Sequence, residues 1–162
     1  MKILMVCLGN ICRSPLAEGL LKHKFRNNKL DVQVDSCGFE YDHLGCQPDY
    51  RAIEIAAMND IDITDKKARL FTPANFDIYD KILVMDNNNL RMVASKARTK
   101  DDLKKVDLIM NVVEPGSNKQ VPDPYYGRRD HFVETFEMLD VATDKIVQLV
   151  KSKQWSANQD NN

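Results

Sequence analysis

The most constraining stretch lies at the start of the chain, where the apolar run Ile3-Leu4-Met5-Val6 meets Gly9-Asn10 and then Ser14-Pro15. A short run that is apolar at every position is a strand buried on both faces, the kind found inside parallel sheets. Gly-Asn marks a tight turn. Pro close to a helix start costs nothing, because its missing N–H would have no partner there. So Lys2 to Cys7 is predicted as a strand that turns over a tight loop into a helix opening at Ser14-Pro15. A strand turning directly into a helix is the first step of the strand–helix alternation that an α/β fold requires.

The remaining elements follow that lead. Ala17, Leu20, Leu21 and Phe25 fall on one helical face. Lys22, Lys24, Arg26 and Lys29 gather toward the C-terminal end, where cations suit the helix dipole. Val32 to Ser36 is predicted as a second strand and Phe39 to Asp49 as a polar loop. Asp49 to Met58 is predicted as a helix with Ile53, Ala56 and Ala57 turned inward. Ile82-Leu83-Val84-Met85 forms a third strand within Asp80 to Asp86, and Asp86 and Asn87 cap a helix over Leu90 to Ala97. Val106 to Met110 is a fourth strand, and Glu114 to Pro124 a proline-rich loop. A last helix over Asp130 to Lys151 aligns Phe132, Phe136, Leu139, Ile146 and Val150. Strands alternating with helices imply a parallel sheet with helices on both faces, here a four-stranded, flavodoxin-like three-layer sandwich. The expected organisation is one domain over 1–153 and a polar, frayed tail from Gln154 to Asn162.

Composition narrows the function classes. The chain has 162 residues, enough to build a core without disulfides or metal. Its 23 Lys and Arg against 24 Asp and Glu argue against a broad nucleic-acid surface. No apolar run approaches a membrane span, and the first one is too short for a signal-peptide core. Cys7, Cys12, Cys37 and Cys46 are too few and too clustered for a secreted disulfide scaffold. A cytoplasmic protein with reduced thiols is expected. His23, His43 and His131 are scattered and form no metal set.

Chemistry concentrates in Cys7-Leu8-Gly9-Asn10-Ile11-Cys12-Arg13-Ser14-Pro15. Successive backbone N–H groups in a loop feeding a helix form an anion-binding nest, and the helix start adds positive potential. Gly9 relieves the curvature and Asn10 tolerates left-handed backbone angles. Such an environment favours thiolate over thiol, which would make Cys7 a nucleophile. The Arg13 fork suits two oxygens of a phosphate. Ser14 can donate a hydrogen bond to the thiolate. The competing reading makes Cys7 a core cysteine and Arg13 a helix cap. The stretch is not a nucleotide P-loop, since no Gly-Lys-Ser/Thr follows, nor a Cys-x-x-Cys redox or zinc pair.

Transfer of a phosphoryl group also needs an acid for the leaving oxygen. Val121-Pro122-Asp123-Pro124-Tyr125-Tyr126-Gly127 offers one, with Asp123 clamped between prolines. Asp-Pro alone is more simply a turn. The following tyrosines make a slot for an aromatic substrate plausible.

These two segments together resemble the low-molecular-weight protein tyrosine phosphatases. Cys7 to Pro15 is similar to that family's phosphate loop and Asp123 to Gly127 to its acid loop. The likeness continues through Val34-Asp35-Ser36, Pro48-Asp49-Tyr50-Arg51, Ala68-Arg69 and Ile82 to Asp86, and so covers roughly 1–150. It implies a flavodoxin-like fold with no metal and no cofactor. Cys7 is then the nucleophile, and Arg13 with the N–H groups of Leu8 to Ser14 the phosphate cradle. Asp123 is the general acid and then base, and Asn10, Ser14 and Ser36 brace the loop. Cys12 can trap oxidised Cys7 as a disulfide. The implied substrate is a tyrosine-phosphorylated protein, with inorganic phosphate released. No nucleic acid or membrane partner is implied, and the state is a monomer or weak dimer.

Two positions depart from the pattern. Asp42 stands where the family carries a pocket-wall aromatic, so either Tyr41 takes over the wall or the mouth is more open and acidic; Tyr125 and Tyr126 complete the expected rim. Lys66 stands where animal members carry a histidine of the bracing network. Three related readings compete. An arsenate reductase would need later cysteines, and none follows Cys46. A protein-arginine phosphatase would carry Thr at Ile11. A non-catalytic phosphotyrosine-binding module would be expected to lack one of Cys7, Arg13 and Asp123.

Overall fold

A computed structural model describes residues 1–155. Four strands, β1 (Lys2–Val6), β2 (Gln33–Cys37), β3 (Lys81–Val84) and β4 (Val106–Leu108), lie parallel in the order β2-β1-β3-β4. Six helices accompany them: α1 (Arg13–Asn27), α2 (Tyr50–Ala57), α3 (Asn75–Ile78), α4 (Asn87–Ala94), α5 (Lys100–Lys104) and α6 (Arg129–Lys151). The architecture is the expected flavodoxin-like α/β sandwich.

Strand β1 shows why its sequence is apolar at every position. Ile3, Met5 and Cys7 enter a core with Leu20 and Phe25 of α1, Ile55 of α2 and Phe132 of α6. Leu4 and Val6 face the opposite way, onto Phe76 of α3 and Val93 of α4. Each such buried Leu, Met or Phe contributes about 1.5–3 kcal/mol of transfer free energy. The central strand pairs with β2 on one side and β3 on the other, so their connections diverge at its carboxyl end. In open α/β sheets that divergence opens the binding crevice.

Helix starts carry conventional caps where nothing else needs their donors. Asp49, Asp86 and Thr99 accept from the backbone N–H groups of Arg51, Asn89 and Asp102. Helix α1 has no side-chain cap, which keeps its N–H donors available.

Several boundaries differ from expectation. Capping by Asp86 begins α4 at Asn87, a turn earlier than the predicted Leu90 to Ala97. In α2 the inward stripe is Ala52, Ile55 and Ala56, whereas Ala57 is exposed and Ile53 only half-buried. Both α3 and α5 are single turns that no periodic pattern announces. The chain past α6 does not fray at once. The Trp155 N–H donates to the Leu149 carbonyl at 3.1 Å, and the Lys81 ammonium sits 5.4 Å from its ring centroid. The rest of the expected tail, 156–162, lies outside the described residues. Among the described residues, no helix is long and apolar enough to cross a membrane.

Candidate active site

The loop between β1 and α1 closes around Cys7. Asn10 takes the left-handed conformation at φ 55°, which a polar short side chain tolerates and which turns the loop back on itself. Its amide then ties together α1, β2 and the segment at Arg69. The Asn10 Nδ2 group donates to Ser14 Oγ at 2.8 Å and to Ser36 Oγ at 2.9 Å, and its Oδ1 accepts from the Arg69 N–H at 3.0 Å. Ser14 Oγ lies 3.0 Å from Cys7 Sγ. Ser36 in turn donates to Glu18 at 2.7 Å. Glu18 receives both Lys22, at 2.6 Å, and Lys66, at 2.7 Å. Burial works against the Glu18 carboxylate, but bonds from Lys22, Lys66 and Ser36 outweigh it and hold its pKa below the ordinary range. Lys66 thus anchors the bracing network through Glu18.

Gly38 completes the loop's support from outside the motif. A Cβ there would lie 2.6 Å from the Leu8 carbonyl oxygen and 2.8 Å from the Asn10 nitrogen, so only glycine lets β2 approach this closely. The Phe39 N–H donates to the same Leu8 carbonyl at 2.7 Å.

Arg13, the first residue of α1, is 1% exposed. Its Nη1 group donates to Asp86 at 2.6 Å and to the Val121 carbonyl at 3.0 Å, and Nη2 donates to Asp123 at 2.7 Å. Burial opposes its charge, yet neighbouring Cys7, Asp123 and Asp86 raise its pKa overall, so it stays a cation. Its Nε is buried without a partner, a donor left for an incoming oxyanion. Cys12 is held as a thiol. Burial first, then the charges of Cys7 and Asp49, push its thiol far above the ordinary range. That makes it a poor nucleophile.

The acid loop is held by a residue from α2. Arg51 makes a two-point pair with Asp49 and donates to the backbone carbonyls of Tyr125 and Gly127, at 2.9 and 3.0 Å. Its guanidinium rests 4.4 Å from the Phe132 ring centroid. Asp123 Oδ1 accepts from the Tyr125 N–H at 3.1 Å, which fixes the carboxylate toward Arg13. Its side chain is 39% exposed.

A cavity of about 230 Å³ joins these parts, with Cys7, Arg13 and Asp123 on its walls beside Leu8, Gly9, Ile11 and Cys12. Tyr125 and Tyr126 line it, their rings edge to face at 4.9 Å. Ser14, Asn10 and Ser36 stand behind this lining. Tyr41 is a correction: it is 77% exposed and faces a different hollow, because a 3-10 turn over Tyr41–His43 sends it away from the mouth. Asp42 does line the cavity, together with Glu40 and His43, which sequence reasoning left out. The His43 ring stands edge-on to Tyr125 at 6.1 Å and its Nε2 lies 3.2 Å from Glu40. Glu18, Gly38, Arg51 and Asp86 also escaped notice as working parts. For Asp86 the signal was its place at the end of a buried strand, where the cap was the only role assigned. Among the described residues, no three His, Cys, Asp or Glu side chains gather as a metal site.

A thiol set in an arginine-walled anion nest at the carboxyl end of a parallel sheet defines the class, an α/β phosphatase with cysteine at its centre. The comparisons narrow it: residues 2–156 match the family model for low molecular weight phosphotyrosine protein phosphatase, and the chain belongs to that family. The fission yeast Schizosaccharomyces pombe protein of that name is 37% identical over 85% of this chain and 89% of its own. The crystal structure of an Entamoeba histolytica protein tyrosine phosphatase with Hepes in its active site superposes with a TM-score of 0.88 at 29% identity. It covers 96% of this chain and 99% of that one. The Drosophila arginine phosphatase structure follows at a TM-score of 0.83 and 29% identity, covering 93% of this chain and 98% of its own.

Proposed function

We propose that the protein hydrolyses phosphotyrosine in proteins by two in-line transfers through Cys7. One observation carries this: Arg13 joins Cys7 and Asp123 in a single cavity although Asp123 lies 110 residues further along the chain. In the first step the Cys7 thiolate attacks phosphorus and the P–O bond to the tyrosine ring breaks. Protonated Asp123 gives its proton to the departing phenol oxygen. The Arg13 fork and the loop N–H groups hold the equatorial oxygens as charge spreads over them. In the second step the Asp123 carboxylate takes a proton from water. That water attacks the cysteinyl phosphate, the S–P bond breaks, and inorganic phosphate leaves. Ser14, 3.0 Å from Cys7 Sγ, hydrogen-bonds the thiolate at both stages.

Ile11 on the cavity wall supports an aromatic ester over a phosphoarginine. The arginine phosphatase among the structural neighbours makes that comparison worth measuring. The same reading makes the protein a cytoplasmic monomer or weak dimer that needs no metal or cofactor. Four free cysteines among the described residues support a reducing compartment.

Phosphate release from matched phosphotyrosine, phosphoserine and phosphoarginine peptides tests the reading, with Cys7→Ser as control. Phosphotyrosine turnover lost by several orders of magnitude in a folded Cys7→Ser protein is the expected result. Multiple turnovers by that variant would overturn the mechanism, and faster phosphoarginine release would overturn the substrate.

A further inference from the structure

The segment Phe39 to His43 is a wall with two faces. Glu40, Asp42 and His43 turn toward the catalytic cavity. Phe39 and Tyr41 turn the other way, into a separate hollow of about 250 Å³. Leu70, Phe71, Met92 of α4, Ser95 and Lys96 line that hollow with them. Its base is firm. The Phe39 and Phe71 rings lie 5.6 Å apart, and Phe71 stacks edge to face on buried Phe76 at 5.3 Å. Backbone bonds fasten residue 38 to both 69 and 71, at 2.9 and 2.7 Å.

The wall is also tied to the phosphate loop itself. The Phe39 and Glu40 N–H groups both donate to the Leu8 carbonyl, at 2.7 and 3.3 Å. Whatever sits in the hollow is therefore held at a fixed offset from a phosphoryl group on Cys7. Charge differs across the wall: the Glu40 and Asp42 carboxylates line the cavity, and the Lys96 ammonium lines the hollow.

Resting on the phosphotyrosine phosphatase reading, we propose that this hollow is a docking subsite for the substrate's own chain. It takes a large apolar side chain near the phosphotyrosine, while Glu40 and Asp42 favour a basic residue at the mouth. Three features point to this occupant. The hollow lies across one segment, Phe39 to His43, from the catalytic cavity. Phe39, Leu70, Phe71 and Met92 give it an apolar lining, and exposed Tyr41 adds an amphipathic ring suited to packing on an aliphatic chain. The carboxylates complement Lys or Arg beside the ester. An extended peptide advances roughly 3.3 Å per residue, so a side chain a few positions from the phosphotyrosine can cross the wall.

The test is a scan of phosphotyrosine peptides in which each flanking position in turn carries Leu or Gly, then Lys or Gln, read as kcat/KM beside a small aryl phosphate. One position is expected to prefer Leu about tenfold, the worth of a mostly buried side chain. A second is expected to prefer Lys several-fold, with the preference fading at high salt. In Tyr41→Ala and Met92→Ala the Leu-to-Gly ratio falls toward one; in the double variant Glu40→Gln, Asp42→Asn the Lys-to-Gln ratio does. A flat scan with brisk turnover of every peptide overturns the docking subsite and leaves the phosphatase reading intact. A Leu preference that survives both Tyr41→Ala and Met92→Ala places the apolar contact elsewhere and overturns it too. No turnover of peptide or aryl phosphate by the folded protein overturns the phosphatase reading, and this proposal with it.

Discussion

The phosphate loop and the acid loop meet at Arg13 but are built on opposite plans. The phosphate loop is buried and braced from behind by Asn10, Ser14, Ser36 and Glu18, with Gly38 pressed against its backbone. The acid loop is exposed at Asp123, and two arginines from other elements hold it. The difference follows from what each must do. Oxyanion donors must already point at the transition state, so their support has to be over-determined. In the proposed mechanism Asp123 changes protonation and meets water in every cycle, which its exposed position allows.

The largest effect should come where the two plans share a residue. Arg13→Ala strands Asp86 and leaves the phosphate loop without its fork. Activity on aryl phosphates should fall about thousandfold or more. Urea unfolding should show a loss of about 3–5 kcal/mol, the usual cost of breaking a buried pair. A stable Arg13→Ala protein would mean that the pair with Asp86 contributes nothing to the fold.

Asp123→Asn should separate the loops cleanly. Turnover of esters with poor leaving groups should drop by about 10²–10⁴, those with good leaving groups far less, and stability should fall less than in Arg13→Ala, because the neutral amide can still accept from Arg13. Equal losses across leaving groups would remove Asp123 as the acid.

Glu18→Gln probes the bracing alone. Its cost should be about 1.5–3 kcal/mol at neutral pH, the worth of hydrogen bonds to a charged group. Because the folded Glu18 pKa is depressed, its contribution is complete above the ordinary Glu value of about 4.3 and is lost as pH falls through the folded value. The gap between wild type and variant should therefore be constant from about pH 6 to 8 and close below about pH 4. A gap that widens in acid would reverse the sign assigned to this network.

Arg51→Ala should have the smallest effect. Freed from its clamp on Tyr125 and Gly127, the acid loop should lose about tenfold in kcat and exchange its amides faster over 123–127, with the phosphate loop unchanged. Unchanged exchange would show that the Pro-Asp-Pro sequence holds the loop unaided.

The two plans were also unequally visible in the sequence. The strand, turn and helix that make the phosphate loop are contiguous, and each is dictated by local chemistry, so the path from Ile3 to Pro15 could be followed residue by residue. Its braces could not. Glu18 looks like any polar residue on a helix until Ser36 and Lys66 converge on it, and Gly38 looks like any glycine until Leu8 packs against it. The mouth was misjudged for a different reason. Alternation along an extended loop would put Tyr41 and His43 on one side and Asp42 on the other, whereas the 3-10 turn groups Asp42 with His43. Helices α3 and α5 are too short to nucleate on their own or to show a periodic stripe.

Sheet order gives the site a history as well as a geometry. Arg13 is synthesised well before the carboxylates it binds, which lie 73 and 110 residues behind it. At about 5–20 residues per second, synthesis leaves several seconds in which the nucleophile exists and its proton donor does not. A chain stalled or cut before Asp123 carries the thiol and the fork without the carboxylate proposed to protonate the departing tyrosine. The site thereby assembles from its thiol outward and closes only once Asp123 has been made.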